Sequence, residues 1–124
     1  MGTSSQPYET VVSYADQIHN LEQADHLLRW DSDVAMPPGG TAARSSQRST
    51  LSKTIYDLRS SAALGRALDR LDDAALDDDQ RAVVREVRRQ HEVAAAVPRE
   101  LNRRLADATA EAHEAWKRAK RQDD

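Results

Sequence analysis

The sequence predicts an all-α fold: about five helices in an antiparallel bundle-like array, with a Pro-Pro-Gly-Gly break after the first. Three observations predict it. Apolar residues recur at spacings of three and four, the period of one helix face. No apolar/polar alternation runs long enough for a strand. The four glycines and four prolines cluster at a few places, which leaves long segments free of helix breakers. A length of 124 residues suits one small domain, expected to span residues 1–124.

The first helix is expected from about Pro7 to Asp31, because proline is tolerated in a first turn. Val11, Tyr14, Ile18, Leu21 and Leu28 share one of its faces. Met36-Pro37-Pro38-Gly39-Gly40 then stops any helix, since proline lacks the N–H and restricts the residue before it. A second helix runs from about Thr41, a plausible N-cap, to Arg59, with Leu51, Ile55 and Leu58 as its stripe. A third, about Ser61 to Leu71, carries Leu64, Leu68 and Leu71. The acidic run Asp72 to Asp79 reads as a polar loop leading into an acidic helix start, which the helix dipole favours. It lacks the ligand spacing and glycine of a calcium loop. The fourth helix spans about Asp78 to Ala96, with Val83, Val87 and Ala94 on one face. Pro98 ends it and opens a fifth, to about Arg121, across either a tight hairpin or a sharp bend. In that fifth helix Leu101, Leu105, Ala108, Ala112, Ala115 and Ala119 step by 4, 3, 4, 3, 4. This 3.5-residue repeat marks a seam between near-antiparallel helices.

The core is thin. Leu, Ile and Val total 21, alanine contributes 20, and phenylalanine is absent. Alanine buries little area, and each missing CH₂ forfeits roughly 0.8 kcal/mol. Such a chain calls for a partner surface, a homodimer or a second protein chain. The regular seam of the fifth helix favours a dimer. With no cysteine, disulfides, thiolate metal sites and a Cys nucleophile are excluded. No apolar run reaches the ~18–20 residues of a membrane span, so no membrane partner is expected. The start Met1-Gly2-Thr3-Ser4-Ser5-Gln6 shows no secretory pattern, which gives an expectation of a cytoplasmic protein.

Candidate chemistry is sparse. His19 and His26 lie seven residues apart, roughly 10 Å along a helix, too far to share an ion, and read as surface or rim residues. His91-Glu92 and His113-Glu114 each begin a zinc-peptidase motif, but that motif needs a second His four residues on. Ala95 and Lys117 stand there. Asp31 and Asp33, near a helix end, read as solvated or capping. No Gly-x-Ser-x-Gly elbow or phosphate loop is present. The expectation is therefore no catalytic residue, no metal and no cofactor. Residues 81–121 carry a net charge of +5 against −6 for residues 1–80, which raises nucleic-acid binding. Arginines interleaved with Glu86, Glu92 and Glu100, and helix pairs such as Glu100–Arg104, weigh against it.

Trp30-Asp31, then Met36-Pro37-Pro38-Gly39-Gly40, then Arg44 and Gln47, resemble the N-terminal segment of the Taq-type (thermostable) metallocarboxypeptidases. Leu76 to Arg89 resembles the family's acidic turn and Arg-rich helix. Val97-Pro98-Arg99-Glu100-Leu101 is similar to its Val-Pro-x-x-Leu helix start, and Trp116 to its Trp-x-x-Ala-Arg-like segment. The likeness covers about residues 8–124. Family members are several times longer. Their His-Glu-x-x-His motif, distal Glu ligand and substrate-carboxylate residues have no counterpart positions in this sequence. The resemblance implies helices that cap one side of a catalytic cleft.

Three readings follow. The first is a carboxypeptidase-related module, non-catalytic on its own, that serves as an interaction or structural domain. The second is a lid subunit or interrupted-gene fragment whose catalytic part is a separate chain. The third is a helical nucleic-acid-binding module. Trp30 either anchors the end of the first helix against the Pro37-Pro38 turn or faces a partner, and Trp30→Ala distinguishes the two.

Overall fold

The computed structural model describes residues 5–34 and 38–123. Met36 and Pro37 lie outside the described residues. Five α-helices follow in order: α1 (Ser5–Val34), α2 (Thr41–Arg59), α3 (Ala62–Arg70), α4 (Asp78–Ala96) and α5 (Arg99–Asp123). Single 3₁₀ turns occupy Pro38–Gly40 and Asp73–Ala75. No strand occurs among the described residues, and the fold is all-α.

Local chemistry sets most boundaries. Ser61 caps α3 by accepting from the Leu64 N–H. Asp77 and Gln80 form a reciprocal capping box at α4, and Asp78 and Asp79 fill its first turn. There the acidic run meets the positive end of the helix dipole. At α2 the cap position is Gly40, with no side-chain bond, and Thr41 is already helical; the expected Thr41 cap is thus displaced by one residue.

Pairings along the helices show their directions. Arg44 reaches Asp31 while Arg59 reaches Glu22, so α1 and α2 are antiparallel. Asp57 lies near Arg99, and Ser49 donates to Asp107, so α2 and α5 are antiparallel as well. His91 meets Gly65 and Arg88 donates to the Leu68 carbonyl, which sets α3 against α4. Because α5 runs along α2, Val97-Pro98 is a bend that redirects the chain.

The main apolar cluster sits at one end. Val11 of α1, Leu64, Ala67 and Leu68 of α3, Leu76, and Val84 and Val87 of α4 form it, with Tyr8, Tyr14, Ala15 and Leu71 packed around. Leu64, Val11 and Val84 are the largest fully buried side chains. Of the expected α4 stripe, Val87 and Ala94 are buried, but Val84 takes the place of Val83, which is 39% exposed. At α3, close approach requires glycine. A Cβ on Gly65 would stand 2.9 Å from His91 Nε2.

The fifth helix departs most from expectation. Leu101 and Leu105 are 53% and 62% exposed, and Ala108, Ala112, Ala115 and Ala119 are exposed too. Its inward face is Asn102, Ala106, Ala110, His113 and Lys117, all half-buried. The 3.5-residue stripe is therefore not a seam within this chain. α2 offers α5 hydroxyls and the Asp57 carboxylate, so the polar and small face turns inward and the apolar one turns out.

Candidate functional site

The end opposite the apolar cluster is held by polar side chains from α1, α2 and α5. α1 has no basic residue in its own last turn, so its C-terminal carbonyls and dipole lack a local cation. Two other helices supply one each. From α2, Arg44 Nη1 pairs with Asp31 Oδ2 at 2.8 Å, donates to the Leu28 carbonyl at 2.9 Å, and lies 3.4 Å from Ser32 Oγ. From α5, Lys117 Nζ donates to the Ser32 carbonyl at 2.6 Å. Ser32, the one buried polar residue among the described residues, folds its hydroxyl back onto the Leu28 carbonyl at 2.8 Å.

Further contacts extend this clamp. Arg44 Nε donates to Gln47 Oε1 at 3.2 Å, which orients the guanidinium. Arg48 grips Asp25 through two N–H groups, at 2.9 and 3.4 Å. His113 Nε2 donates to Asp33 Oδ1 at 2.9 Å. The His113 ring stacks on Trp116 with centroids 6.0 Å apart and planes at 20°, and Lys120 Nζ lies 5.2 Å from the Trp116 ring centroid, within cation–π range.

The motif residues thus divide. Asp31, Arg44 and Gln47 come together at the α1–α2 corner, and Trp116 joins their neighbourhood through His113. Gly39 and Gly40 form the 3₁₀ turn leading into α2, with Pro38 as its first residue. Pro98 is exposed at the distant α4–α5 bend, where the Tyr56 hydroxyl donates to the Val97 carbonyl. Trp30 is 61% exposed, which does not fit the expected anchor.

Asp31, read from sequence as solvated or capping, is the ion-pair partner of Arg44, and Asp33, read the same way, accepts a hydrogen bond from His113. Sequence reasoning did not find Ser32, Arg48, Lys117 or the His113–Asp33 contact. Only the shared motif put Asp31 beside Arg44; nothing local joins Asp33 to a residue 80 positions away. The remaining histidines are equally ordinary. His19 and His26 are exposed, as expected of rim residues. His91 Nδ1 donates to the Arg59 carbonyl at 2.7 Å and so satisfies the end of α2.

Among the described residues no three His, Asp or Glu gather where one ion could bind them, and the His91 and His113 nitrogens named above are engaged with protein oxygens. The donor set here does not fit a resident metal. No described helix is long and apolar enough to cross a membrane.

The positive half of the chain is largely compensated. Arg81 pairs with Asp78, Arg88 with Asp73, Arg89 with Glu86, Arg99 with Asp57 and Arg121 with Glu114. Glu100 pairs with Arg103 at i+3, in place of the expected i+4 pair with Arg104. Bonds from Arg89 and then Gln90 hold the Glu86 carboxyl down at about 2.

Comparison with known proteins matches the sequence to one family. A profile described as carboxypeptidase Taq (M32) metallopeptidase matches residues 10–124. Thermostable carboxypeptidase 1 of Thermus thermophilus is 28% identical over 126 residues, covering 98% of this chain and 25% of that protein. Thermostable carboxypeptidase 1 of Pyrococcus furiosus is 29% identical over 109 residues, covering 87% of this chain and 22% of that protein. The chain therefore spans about a quarter of the length of the curated relatives it matches. No solved structure matches with significance. Matched from residue 10 to its last residue, the chain belongs to the carboxypeptidase Taq (M32) metallopeptidase family.

Proposed function

We propose that this chain is a helical module of a carboxypeptidase-type protein that performs no peptide cleavage on its own and serves as a structural or interaction domain. One observation carries the reading. Asp31 and Arg44, within the motif that resembles the family, bind one helix end to another. Paired with each other and with backbone at the end of α1, they arrange the fold. The direct test incubates the pure protein with zinc or cobalt and a peptide whose C-terminus is free or blocked. No residue is released above the chelated control. Metal-dependent release from the free peptide alone would overturn the reading.

A second reading has its own support. Leu27, Trp30 and Val34 are 69%, 61% and 64% exposed and lie three and four residues apart on α1, one helix face. A lid whose catalytic body is a separate chain, or was separated by an interrupted gene, needs such a face. A neighbouring reading frame encoding His-Glu-x-x-His, whose product co-purifies with this chain, supports it; co-purification lost on Trp30→Glu places the contact.

A further inference from the structure

Away from the polar clamp, α1, α2, α4 and α5 meet around a second cavity of about 530 Å³. That volume lies within the roughly 300–1,000 Å³ of small-molecule sites. α2 lays its floor. Ile55 there is 9% exposed, and the neighbouring Tyr56 ring is fixed because its hydroxyl donates to the Val97 carbonyl. α4 adds an apolar wall of Val93, Ala94 and Val97. α1 adds a polar one, Glu22, His26 and Arg29, whose spacings of four and three place them on one helix face.

The charges that line the cavity do not cancel. Glu22 is paired with Arg59 at 3.0 Å, Asp25 with Arg48, and Arg89 with Glu86. Arg29 and His26 are exposed, and neither has an ion pair among the described residues. One full positive charge, on Arg29, is therefore left over. Hydrogen-bond donors are in surplus too. The half-buried Ser52 and Asn102 make no side-chain hydrogen bond among the described residues, and Arg59 Nε is buried without an acceptor. Buried donors in folded proteins are nearly always partnered, so an orphan beside a cavity points to an acceptor that the chain does not supply. The Arg48–Asp25 and Arg59–Glu22 pairs run along antiparallel α1 and α2. Arg29 thus stands toward one end of the cavity and Arg59 toward the other, with the apolar surface between.

We infer that this cavity binds a small monoanion with an apolar body, an aromatic or aliphatic carboxylate or sulfonate. Arg29 takes the anionic group, and Ser52 and Asn102 donate to its remaining oxygens. The apolar body lies on Ile55 and Tyr56, against Val93 and Val97. A neutral ligand leaves Arg29 without a counter-ion, and a polyanion exceeds the positive charge available. This goes beyond the proposed function, and a fluorescence titration succeeds or fails independently of any peptidase assay.

The test titrates the full chain with two dyes of one shape: anilinonaphthalene sulfonate, which is anionic, and phenylnaphthylamine, its neutral counterpart. The sulfonate saturates at one equivalent. It binds at least about tenfold more tightly than the amine, as expected of a charge-assisted bond. Arg29→Glu abolishes that preference and leaves the amine unaffected, while Arg29→Lys keeps it. Val93→Glu, at a position 57% exposed, weakens both dyes. Circular dichroism confirms that the variants remain helical. Equal affinity for the two dyes, or a sulfonate affinity that Arg29→Glu does not change, would overturn the anion site. Binding indifferent to Val93→Glu, or a sulfonate signal that never saturates, would overturn the cavity as its location.

Discussion

The two ends of the molecule are held by different physics. At one end, α1, α3 and α4 bury Val11, Leu64, Leu68, Val84 and Val87 against one another. At the other, α1, α2 and α5 meet through Arg44, Arg48, His113 and Lys117, and the apolar side chains of α5 point outward. The first end gains roughly 25 cal/mol per Å² of apolar area removed from water. The second gains only the net worth of hydrogen bonds and half-exposed ion pairs, about 0.5–1.5 kcal/mol for a typical bond and about 0–1 for an exposed pair. A chain with 21 large aliphatic residues has enough for one such core. It buries six of them in that cluster and ties the other end largely by charge.

The largest expected effect falls at the apolar end. Leu64→Ala, at a site 1% exposed, should cost about 3 kcal/mol, read from the urea midpoint. A loss below about 1 kcal/mol would mean that this end is no better packed than the other. Arg44→Ala should cost less, about 1–2 kcal/mol, because it removes charge-assisted bonds to Asp31 and the Leu28 carbonyl. Its cost should shrink in high salt as screening weakens the charges, whereas that of Leu64→Ala should not. Trp30→Ala should move stability by under about 0.5 kcal/mol, as for an exposed site. A loss of roughly 3 kcal/mol or more, the cost for a core aromatic, would restore the anchor that the sequence suggested.

The smallest effect concerns pH. Glu86 is held at about 2, below the ordinary 4.5, by its bonds from Arg89 and Gln90. A depressed carboxylate contributes stability that is present above 4.5 and lost as pH falls toward 2. Glu86→Gln should therefore differ slightly from wild type at neutral pH and converge with it across that window. A difference that persists at pH 2 would assign the effect to packing.

Legibility in the sequence followed the same division. Helices and most of their ends were readable because their causes are local: Pro98 at the α4–α5 bend and the acidic run that opens α4. The apolar core was readable to within one residue; choosing Val83 over Val84 was an error of phase along a helix where both fit a loose repeat. The polar end was not readable. A charge pattern does not say which of 15 arginines faces which carboxylate, and Lys117 meets Ser32 across 85 positions. The α5 stripe was recognised as a packing surface, but periodicity identifies a face without saying what covers it.

Native-state hydrogen exchange resolved by residue tests the two-ended account most directly. Backbone amides of α3 and of α4 around Val84 and Val87 should exchange only through global unfolding, while those of α5 exchange through a smaller, salt-sensitive opening. Equal protection of α5 and α3, unchanged by salt, would contradict it.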